Sequence, residues 1–501
     1  MAVINQDVKI PQRILNTLLA SLTAGVVPRS GAPYIAIGRQ EEINSLINNL
    51  DEVSEGGAFC RFLIGRYGSG KSFLIQLIRG YALDRGFICA DADLSPERRL
   101  TAGNGAGLAT YRELINNLAT KTSPDGRALS GVLSRHFTSL SSSLIERGFM
   151  PDTPEYRDEL RKTALLSIRG IEGDVGGFDF ARVLSEYYIA SIEDNEDKKN
   201  AALRWLRGEY STKTEAKNAL GIAVSTIIND DNWYNYIKLF ASLAVKLGYK
   251  GLILFIDECV NLYKIPNRIS REANYEKLLA IFNDTLQGKA NSLGVVFGGT
   301  PAFLEDTRRG LFSYEALRSR LVDSKYALAG FQNLSSPVIR LRTLSPNELL
   351  ALVRRLTILH RERYKLTEPL LTDNEIERFM RLALDKTGAG ELVTPREIIR
   401  DYLTLLNIIK DNKDASFERL IGEVTFSRAD IEEEAEDVVF GANGEPVSVG
   451  LQGSKGATEA SHISRRSESY TTSSEGGSYD SPDTTAQPTP PRRIGLFDID
   501  I

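Results

Sequence analysis

The segment Gly65 to Ser72, which reads G-R-Y-G-S-G-K-S, constrains this chain more than any other part of it. It has the G-x-x-x-x-G-K-S spacing of a phosphate-binding P-loop. An apolar run at residues 59–64 precedes it and an amphipathic stretch at residues 73–82 follows it. The sequence therefore predicts a strand, a loop and a helix in the order that this motif requires. A glycine-rich turn that matches by chance is the alternative, and the flanking elements argue against it.

Each residue type in the P-loop (residues 65–72) suits the binding of a nucleotide. Gly65, Gly68 and Gly70 let the backbone wrap so that its N–H groups point at phosphate oxygens. The following helix directs the positive end of its dipole to the same place. Lys71 is expected to reach the β- and γ-phosphates, and the Ser72 hydroxyl to bind Mg²⁺. We predict ATP and Mg²⁺ as cofactors, with the nucleotide bound by Gly65, Arg66, Tyr67, Gly68, Ser69, Gly70, Lys71, Ser72 and Phe73.

A second chemical signal lies at residues 251–258, which read G-L-I-L-F-I-D-E. An apolar run that ends in two acids is typical of a buried parallel strand with carboxylates at its C-terminal edge. This is the Walker B pattern, and a solvated turn is a poor alternative because a P-loop lies upstream. Asp257 is expected to hold the metal through water, and Glu258 to polarise the water that attacks the γ-phosphate.

Three further residues are candidates for contact with the γ-phosphate. Thr300 follows an apolar run, as the polar sensor of AAA+ proteins does, although a helix N-cap is an equal alternative. Arg320, favoured over Arg318, resembles an arginine finger that reaches a neighbouring subunit and raises the rate ~10³-fold or more. A solvated basic helix face is the equal alternative. Arg396 opens a late helix, as the second sensor arginine of an AAA+ lid does. A finger of this kind predicts a homo-oligomer.

The amino-acid composition limits the classes of protein to which this chain can belong. The chain has 501 residues, of which 42% are hydrophobic and 25% charged, as in a globular protein with more than one structural unit. No apolar run reaches the ~18 residues of a membrane span, and the N-terminus lacks a signal-peptide pattern. We therefore expect a cytoplasmic protein without a membrane partner. Cys60, Cys89 and Cys259 lie in or beside apolar runs, which predicts buried free thiols.

The predicted fold class is α/β: a P-loop NTPase with an AAA+-like parallel sheet, a large helical insertion and a C-terminal helical lid. Residues 1–96 hold an N-terminal helix and the P-loop part of the core, and residues 97–249 the insertion. Residues 250–343 hold the acidic strand and the sensor, and residues 344–428 the lid. Residues 429–501 are Gly/Ser/Thr/Pro-rich and predicted to be a disordered acidic tail. The apolar end of this tail is either a docking motif or an ordinary terminus.

The sequence leaves two alternatives, that the protein binds DNA and that it does not. The tail at residues 429–501 carries fourteen acidic and five basic side chains, a charge of −9. Because the net charge of the whole chain is −5, residues 1–428 carry a charge of +4. Residues 213–228 resemble a helix-turn-helix. Their second helix would lack Arg and Lys and would run into acidic residues, which are unfavourable beside phosphates, so a plain helical turn is favoured. The basic stretch at residues 354–365 faces either DNA, an acidic partner or, as we favour, solvent.

With these residues in place, the chain resembles the BREX-type ATP-binding P-loop family, which comprises AAA+-like ATPases of bacterial phage-defence systems. The likeness spans residues 10–425 and rests on three segments. The first segment is the P-loop. The second is R-W-L-R-G-E at residues 204–209, which lies ahead of T-K-T-E-A at residues 212–216. The third is I-D-E-C-V-N-L-Y-K-I at residues 256–265. The resemblance implies an ATPase that acts with other defence proteins, often beside a helicase. It also weakens the helix-turn-helix interpretation, because T-K-T-E-A belongs to the shared insertion.

Two functions of different classes follow. In the first, ATP hydrolysis drives a conformational cycle in a DNA-linked defence complex. In the second, the protein is a nucleotide-gated scaffold that binds ATP and recruits a partner with little turnover. Replacing Glu258 by Gln separates them, since a motor would lose function and a scaffold would keep its assembly. A guanine-nucleotide switch is disfavoured because no Asn-Lys-x-Asp motif follows a predicted strand.

Overall fold

A parallel five-stranded sheet organises the part of the chain that the structure describes. The structure is a computed structural model that describes residues 10–423 except 152, 172, 174, 324–332 and 386–393. The strands lie in the order β2-β3-β4-β1-β5, and each neighbouring pair is parallel. Their bounds are Ala58–Ile64 for β1, Ile88–Asp93 for β2, Leu252–Asp257 for β3, Leu293–Gly299 for β4 and Val338–Arg340 for β5. The predicted tail at residues 429–501 lies outside the described residues.

The apolar runs of the sequence form these strands to within a few residues at each end. The strand β4 is buried along its whole length, and β3 is buried up to Ile256. Such continuous burial arises because helices cover both faces of a parallel sheet. The prediction of an α/β chain with a parallel sheet is confirmed, and so is the prediction that the three cysteines are buried free thiols.

Different helices cover the two faces of the sheet. On one face, Leu63, Phe255 and Val296 pack in a buried cluster with α2 and α3. On the other face, the strands pack against helices from the long segment between β2 and β3, where Tyr111 and Trp233 are fully buried. The helices up to β3 are α1 Gln12–Thr23, α2 Gln40–Ser54, α3 Lys71–Asp84, α4 Ala106–Asn116, α5 Leu129–Glu146, α6 Pro154–Ser167, α7 Gly177–Ile192, α8 Glu196–Leu206, α9 Lys213–Leu220 and α10 Trp233–Lys246.

The helices that follow β5 form a separate core with the N-terminal helix α1. Leu18 of α1, Val353 and Tyr402 are fully buried in this cluster. The N-terminal helix therefore packs with the predicted lid helices, although it precedes the P-loop in sequence. After β3 the helices are α11 Val260–Tyr263, α12 Arg268–Leu286, α13 Pro301–Glu305, α14 Glu315–Leu321, α15 Pro346–Tyr364, α16 Asp373–Asp385, α17 Pro395–Asp411 and α18 Phe417–Glu423. None of the described helices is both long and apolar enough to span a membrane.

The segment that resembled a helix-turn-helix has only its first helix. The helix α9 ends at Gly221, which has a left-handed φ of 76°, and residues 221–228 contain no second helix. The acidic side chain of Asp230 instead accepts from two backbone N–H groups at the start of α4, Gly105 at 3.1 Å and Leu108 at 2.6 Å. The acidic residue after this segment therefore caps a helix within the protein, and the recognition helix, which was the less favoured alternative, is absent.

Candidate nucleotide site

The P-loop has the predicted strand–loop–helix geometry. The strand β1 ends at Ile64, and α3 begins at Lys71. Gly68 and Gly70 have φ angles of 74° and 89°, which only glycine adopts without strain. A Cβ atom on Gly65 would lie 2.3 Å from the Ser69 hydroxyl, so glycine is required there for packing.

Two residues at the start of α3 point into the site. The ammonium of Lys71 donates to the Gly65 carbonyl at 2.8 Å and to the Arg66 carbonyl at 3.2 Å. Burial lowers the pKa of Lys71, and the carboxylates of Asp257 and Glu258 oppose that shift. The adjacent Ser72 donates its hydroxyl proton to Oδ2 of Asp257 at 2.9 Å. The first helical turn after the P-loop is therefore joined directly to the acidic end of β3.

The acidic end of β3 is closely packed and strained. A Cβ atom on Gly298 of β4 would lie 2.1 Å from Oδ1 of Asp257, so the carboxylate sits against glycine backbone. Glu258 has a φ of 56°, a left-handed value that costs a non-glycine residue about 1–3 kcal/mol. Its N–H donates to Oδ1 of Asp257 at 2.9 Å. Desolvation by the surrounding protein raises the pKa of Glu258, and the neighbouring Asp257 raises it further.

The oxygen atoms of this site suit Mg²⁺. The ion prefers oxygen ligands and is usually held by one or two protein groups together with waters and substrate phosphates. The hydroxyl of Ser72 and the carboxylate of Asp257 are two such groups within hydrogen-bonding distance of each other. No cluster of three or more metal-ligating His, Cys, Asp or Glu side chains occurs among the described residues. The hydroxyl of Ser72 and the carboxylate of Asp257 fit Mg²⁺ by their chemistry, and its binding here stays a prediction.

A third carboxylate, Asp93 at the end of β2, was not predicted from the sequence. The register of the sheet pairs Asp93 with Asp257, so the two side chains project from the same face of neighbouring strands. Partial burial raises the pKa of Asp93, and Asp257 raises it further. The signal in the sequence was a strand-like run that ends in an acid, but the pairing of β2 with β3 was needed to place it.

Thr300 follows β4 directly, at the same edge of the sheet as the P-loop. Its hydroxyl accepts from the N–H of Phe303 at 3.3 Å and caps α13. Because β4 lies between β1 and β3, Thr300 follows a strand that runs between the strands leading to the P-loop and to Asp257. The capping role is thus present, and contact with a γ-phosphate stays a prediction.

Arg396 lies against the P-loop. Its guanidinium donates to the Tyr67 hydroxyl at 3.1 Å and lies 5.7 Å from the centre of the Tyr67 ring. The preceding Thr394 caps α17 in a capping box. A Cβ atom on Gly68 would lie 2.5 Å from Cγ2 of Thr394, so α17 begins in direct contact with the loop. The fold brings Arg396 and Tyr67 together across 329 positions, and contact of Arg396 with a γ-phosphate stays a prediction.

Arg320 is exposed and lies on α14, away from these contacts. Its guanidinium donates to the Ala316 carbonyl of the same helix at 2.6 Å. The alternative candidate, Arg318, is paired with Glu315 at 3.9 Å. An exposed arginine is compatible with a contact to a second subunit, so the finger stays a prediction for both.

The basic stretch at residues 354–365 uses part of its charge inside the protein. Arg354 pairs with Glu377 at 2.9 Å and with Asp373 at 3.4 Å. Arg355 donates to the Tyr34 carbonyl at 3.1 Å. Arg354 therefore joins α15 to α16, and Arg355 joins α15 to the segment before α2, while the choice among DNA, an acidic partner and solvent stays a prediction.

Two of the segments that carry the family resemblance, 204–209 and 256–265, have structural roles. In 204–209, the guanidinium of Arg204 lies 4.6 Å from the centre of the Tyr210 ring, and Trp205 is buried in the core. In 261–265, the amide of Asn261 donates to the Leu94 carbonyl at 2.8 Å, at the end of β2. The second segment thereby positions the chain that leaves Glu258.

One family comparison bears on these observations. The family model described as BREX system ATP-binding protein BrxC/D matches residues 10–425. That range includes the whole sheet, the helices between β2 and β3, and the helices after β5. No curated protein matches the chain.

Proposed function

The chain belongs to the family of BREX system ATP-binding proteins BrxC/D, and from this premise we propose that it binds ATP with Mg²⁺ at the P-loop and hydrolyses it. The observation that carries the proposal is the hydrogen bond of 2.9 Å between Ser72 and Asp257. It joins the residue that would bind the metal to the acid that would orient it. Family membership supports ATP as the nucleotide and bacterial phage defence as the setting.

The residues of the site have different roles in phosphoryl transfer. The glycine-rich backbone and Lys71 bind and orient the phosphates. Ser72 and Asp257 would hold the metal, which would supply positive charge to neutralise the phosphate oxygens. The carboxylate of Glu258 accepts a proton from the attacking water, whose oxygen bonds to the γ-phosphorus. The bond to the β–γ bridging oxygen then breaks, and ADP and phosphate are the products.

The arrangement of strands supports an AAA+-like type of ATPase. In the order β2-β3-β4-β1-β5, one strand separates the P-loop strand from the Walker B strand. Thr300 at the end of that strand is then a candidate sensor, and Arg396 a candidate second sensor from the lid. We propose that Arg320 completes the site of a neighbouring copy in a homo-oligomer. Coupling to DNA and to a defence partner such as a helicase belongs to the same proposal.

Phosphate release from ATP and Mg²⁺ tests the proposal. The wild type should release phosphate, and Lys71→Ala should lose nearly all of that rate because the loop loses its positive charge. Lys217→Ala, an exposed lysine of α9, is the matched control and should keep the wild-type rate. A rate per subunit that rises with protein concentration supports the homo-oligomer. Tight ATP binding without phosphate release in the wild type would favour the nucleotide-gated scaffold instead.

A further inference from the structure

A buried arginine, Arg39, contacts the P-loop from the side of α2. Only 4% of its surface is exposed. Its guanidinium donates to the backbone carbonyl of Ser69 at 2.9 Å and to the carbonyl of Arg342, which follows β5. The remaining amino group pairs with Glu42 at 3.3 Å. One side chain therefore connects α2, the P-loop and the chain after β5.

Burial of the Arg39 charge costs free energy, and the hydrogen-bond acceptors around its guanidinium offset that cost. Removing a charge from water is unfavourable, and burial lowers the pKa of Arg39 although Glu42 opposes that shift. Arginine has a planar group with five donors in fixed directions, whereas lysine has a single point charge. Two carbonyls and a carboxylate around one guanidinium use that geometry. The two nitrogens that make these contacts lie at fixed positions on one rigid fork, which a lysine ammonium does not reproduce.

The same cluster continues into the first turn of lid helix α15. Arg342 makes two hydrogen bonds of 2.6 Å to the carboxylate of Glu348. Glu348 also completes the capping box of α15 with Ser345. A Cβ atom on Gly38 would lie 2.5 Å from Oε1 of Glu348, so the backbone beside Arg39 is packed directly on this carboxylate. A continuous chain of contacts runs from the P-loop through Arg39 and Arg342 to α15.

We infer that Arg39 is a positioning residue that fixes the main chain of the P-loop and links its conformation to the first turn of α15. The inference rests on the proposed function, because its consequence is that ATP binding and lid orientation influence each other. Such coupling is reciprocal: a change at Glu348, outside the nucleotide site, alters ATP affinity. The contact of Thr394 with Gly68 gives the lid a second attachment to the same loop.

A double-mutant cycle of Arg39→Lys and Glu348→Gln tests the link through the dissociation constant of a fluorescent ATP analogue with Mg²⁺. Each single change should weaken binding by at least ~5-fold, the lower end of typical coupling. The double variant should bind about as weakly as Arg39→Lys alone. Arg271→Lys is the matched control, since Arg271 is also buried and donates to a backbone carbonyl, that of Ile265. Wild-type affinity in Arg39→Lys, or strictly additive effects, would overturn the inference.

Hydrogen exchange measured without nucleotide tests this inference independently of the proposed function, because the measurement does not require ATP to bind. In Arg39→Lys the amides of the P-loop and of residues 346–350 should both exchange faster, while those of α10 keep their protection. Unchanged protection at either place would overturn the link, whether or not the wild type binds ATP. If Arg39→Lys does not fold, the same exchange measurement is made on Glu348→Gln. The Glu348 side chain lies at the α15 end of the chain of contacts that begins at the P-loop. In that variant the P-loop amides alone decide the result.

Discussion

The hydroxyl of Ser72 lies 2.9 Å from Oδ2 of Asp257, although the two residues are 185 positions apart in the chain. One begins the helix after the P-loop, and the other ends the strand β3. The strand β4 lies between β1 and β3 and brings both to one edge of the sheet. Two motifs that were separate in the sequence are therefore parts of one site.

A double-mutant cycle of Ser72→Ala and Asp257→Asn tests whether this contact marks a metal site. Each change should weaken Mg²⁺-dependent ATP binding, and together they should weaken it less than the product of the two effects, because both act on the same ion. Binding measured by calorimetry with and without EDTA gives the comparison. Equal losses in the presence of EDTA would contradict a role in metal binding.

The packing of Asp257 against Gly298 gives a second prediction. Gly298→Ala places a methyl group where Oδ1 of Asp257 now lies, so the carboxylate must move and phosphate release should fall by at least ~10-fold. Overpacking of this kind also costs about 1–3 kcal/mol of the free energy of unfolding.

Gly80→Ala is the control for that change, because a Cβ atom on Gly80 of α3 meets nothing within 4 Å. Alanine in a helix interior is favoured over glycine by about 0.5–1 kcal/mol, so this variant should be slightly more stable and fully active. Urea unfolding and phosphate release measure both quantities. An active Gly298→Ala would show that the position of Asp257 is not critical.

The chemical motifs could be predicted from sequence because each is local. Gly65 to Ser72 and the run that ends in Asp257 carry their own spacing, and their apolar flanks form the strands that support them. Contacts across the fold could not be predicted in the same way. Asp93 joins the site only through the pairing of β2 with β3. Arg39, 30 positions ahead of Ser69 in the chain, contacts the P-loop backbone only through the fold.

The helix-turn-helix interpretation failed for a similar reason. The spacing of small and apolar residues at 213–228 allowed a second helix as the less favoured alternative, but a left-handed Gly221 ends the first helix, and Asp230 caps α4. Capping by a distant residue leaves no periodic signal in the sequence. In contrast, Arg396 was predicted from its likeness to the second sensor arginine of an AAA+ lid, and the structure places its guanidinium 3.1 Å from the Tyr67 hydroxyl of the P-loop.

The cap at α4 predicts a loss of stability and no effect on DNA. Asp230→Ala removes the acceptor of two N–H groups, and the free energy of unfolding should fall by about 1–2 kcal/mol. Asp231→Ala, at the next position, should change it by less than about 0.5 kcal/mol. Chemical denaturation measures both. A selective change in DNA affinity in Asp230→Ala, at unchanged stability, would contradict the capping role.

The ion pair at the start of α15 predicts a dependence of stability on pH. The hydrogen bonds from Arg342 lower the pKa of Glu348 from 4.5 to about 2. Because the folded protein favours the ionised carboxylate, its contribution is fully present above pH 4.5 and is lost as the pH falls towards 2.

Unfolding of the wild type and of Glu348→Gln between pH 2 and pH 7 measures this contribution, with Glu362→Gln of the same helix as control. The difference between wild type and Glu348→Gln should be largest near neutral pH and should shrink steadily below pH 4.5. A constant difference over the whole range would show that the ion pair is not its source.

Single-turnover hydrolysis by Glu258→Gln tests the central claim most directly. Wild type and variant, each in excess over γ-labelled ATP with Mg²⁺, are quenched over time, and Glu276→Gln, an exposed glutamate of α12, is the control. The site described here predicts that Glu258→Gln binds ATP like the wild type but releases phosphate at least ~100-fold more slowly, the usual contribution of a general base. Hydrolysis by Glu258→Gln at the wild-type rate would contradict it.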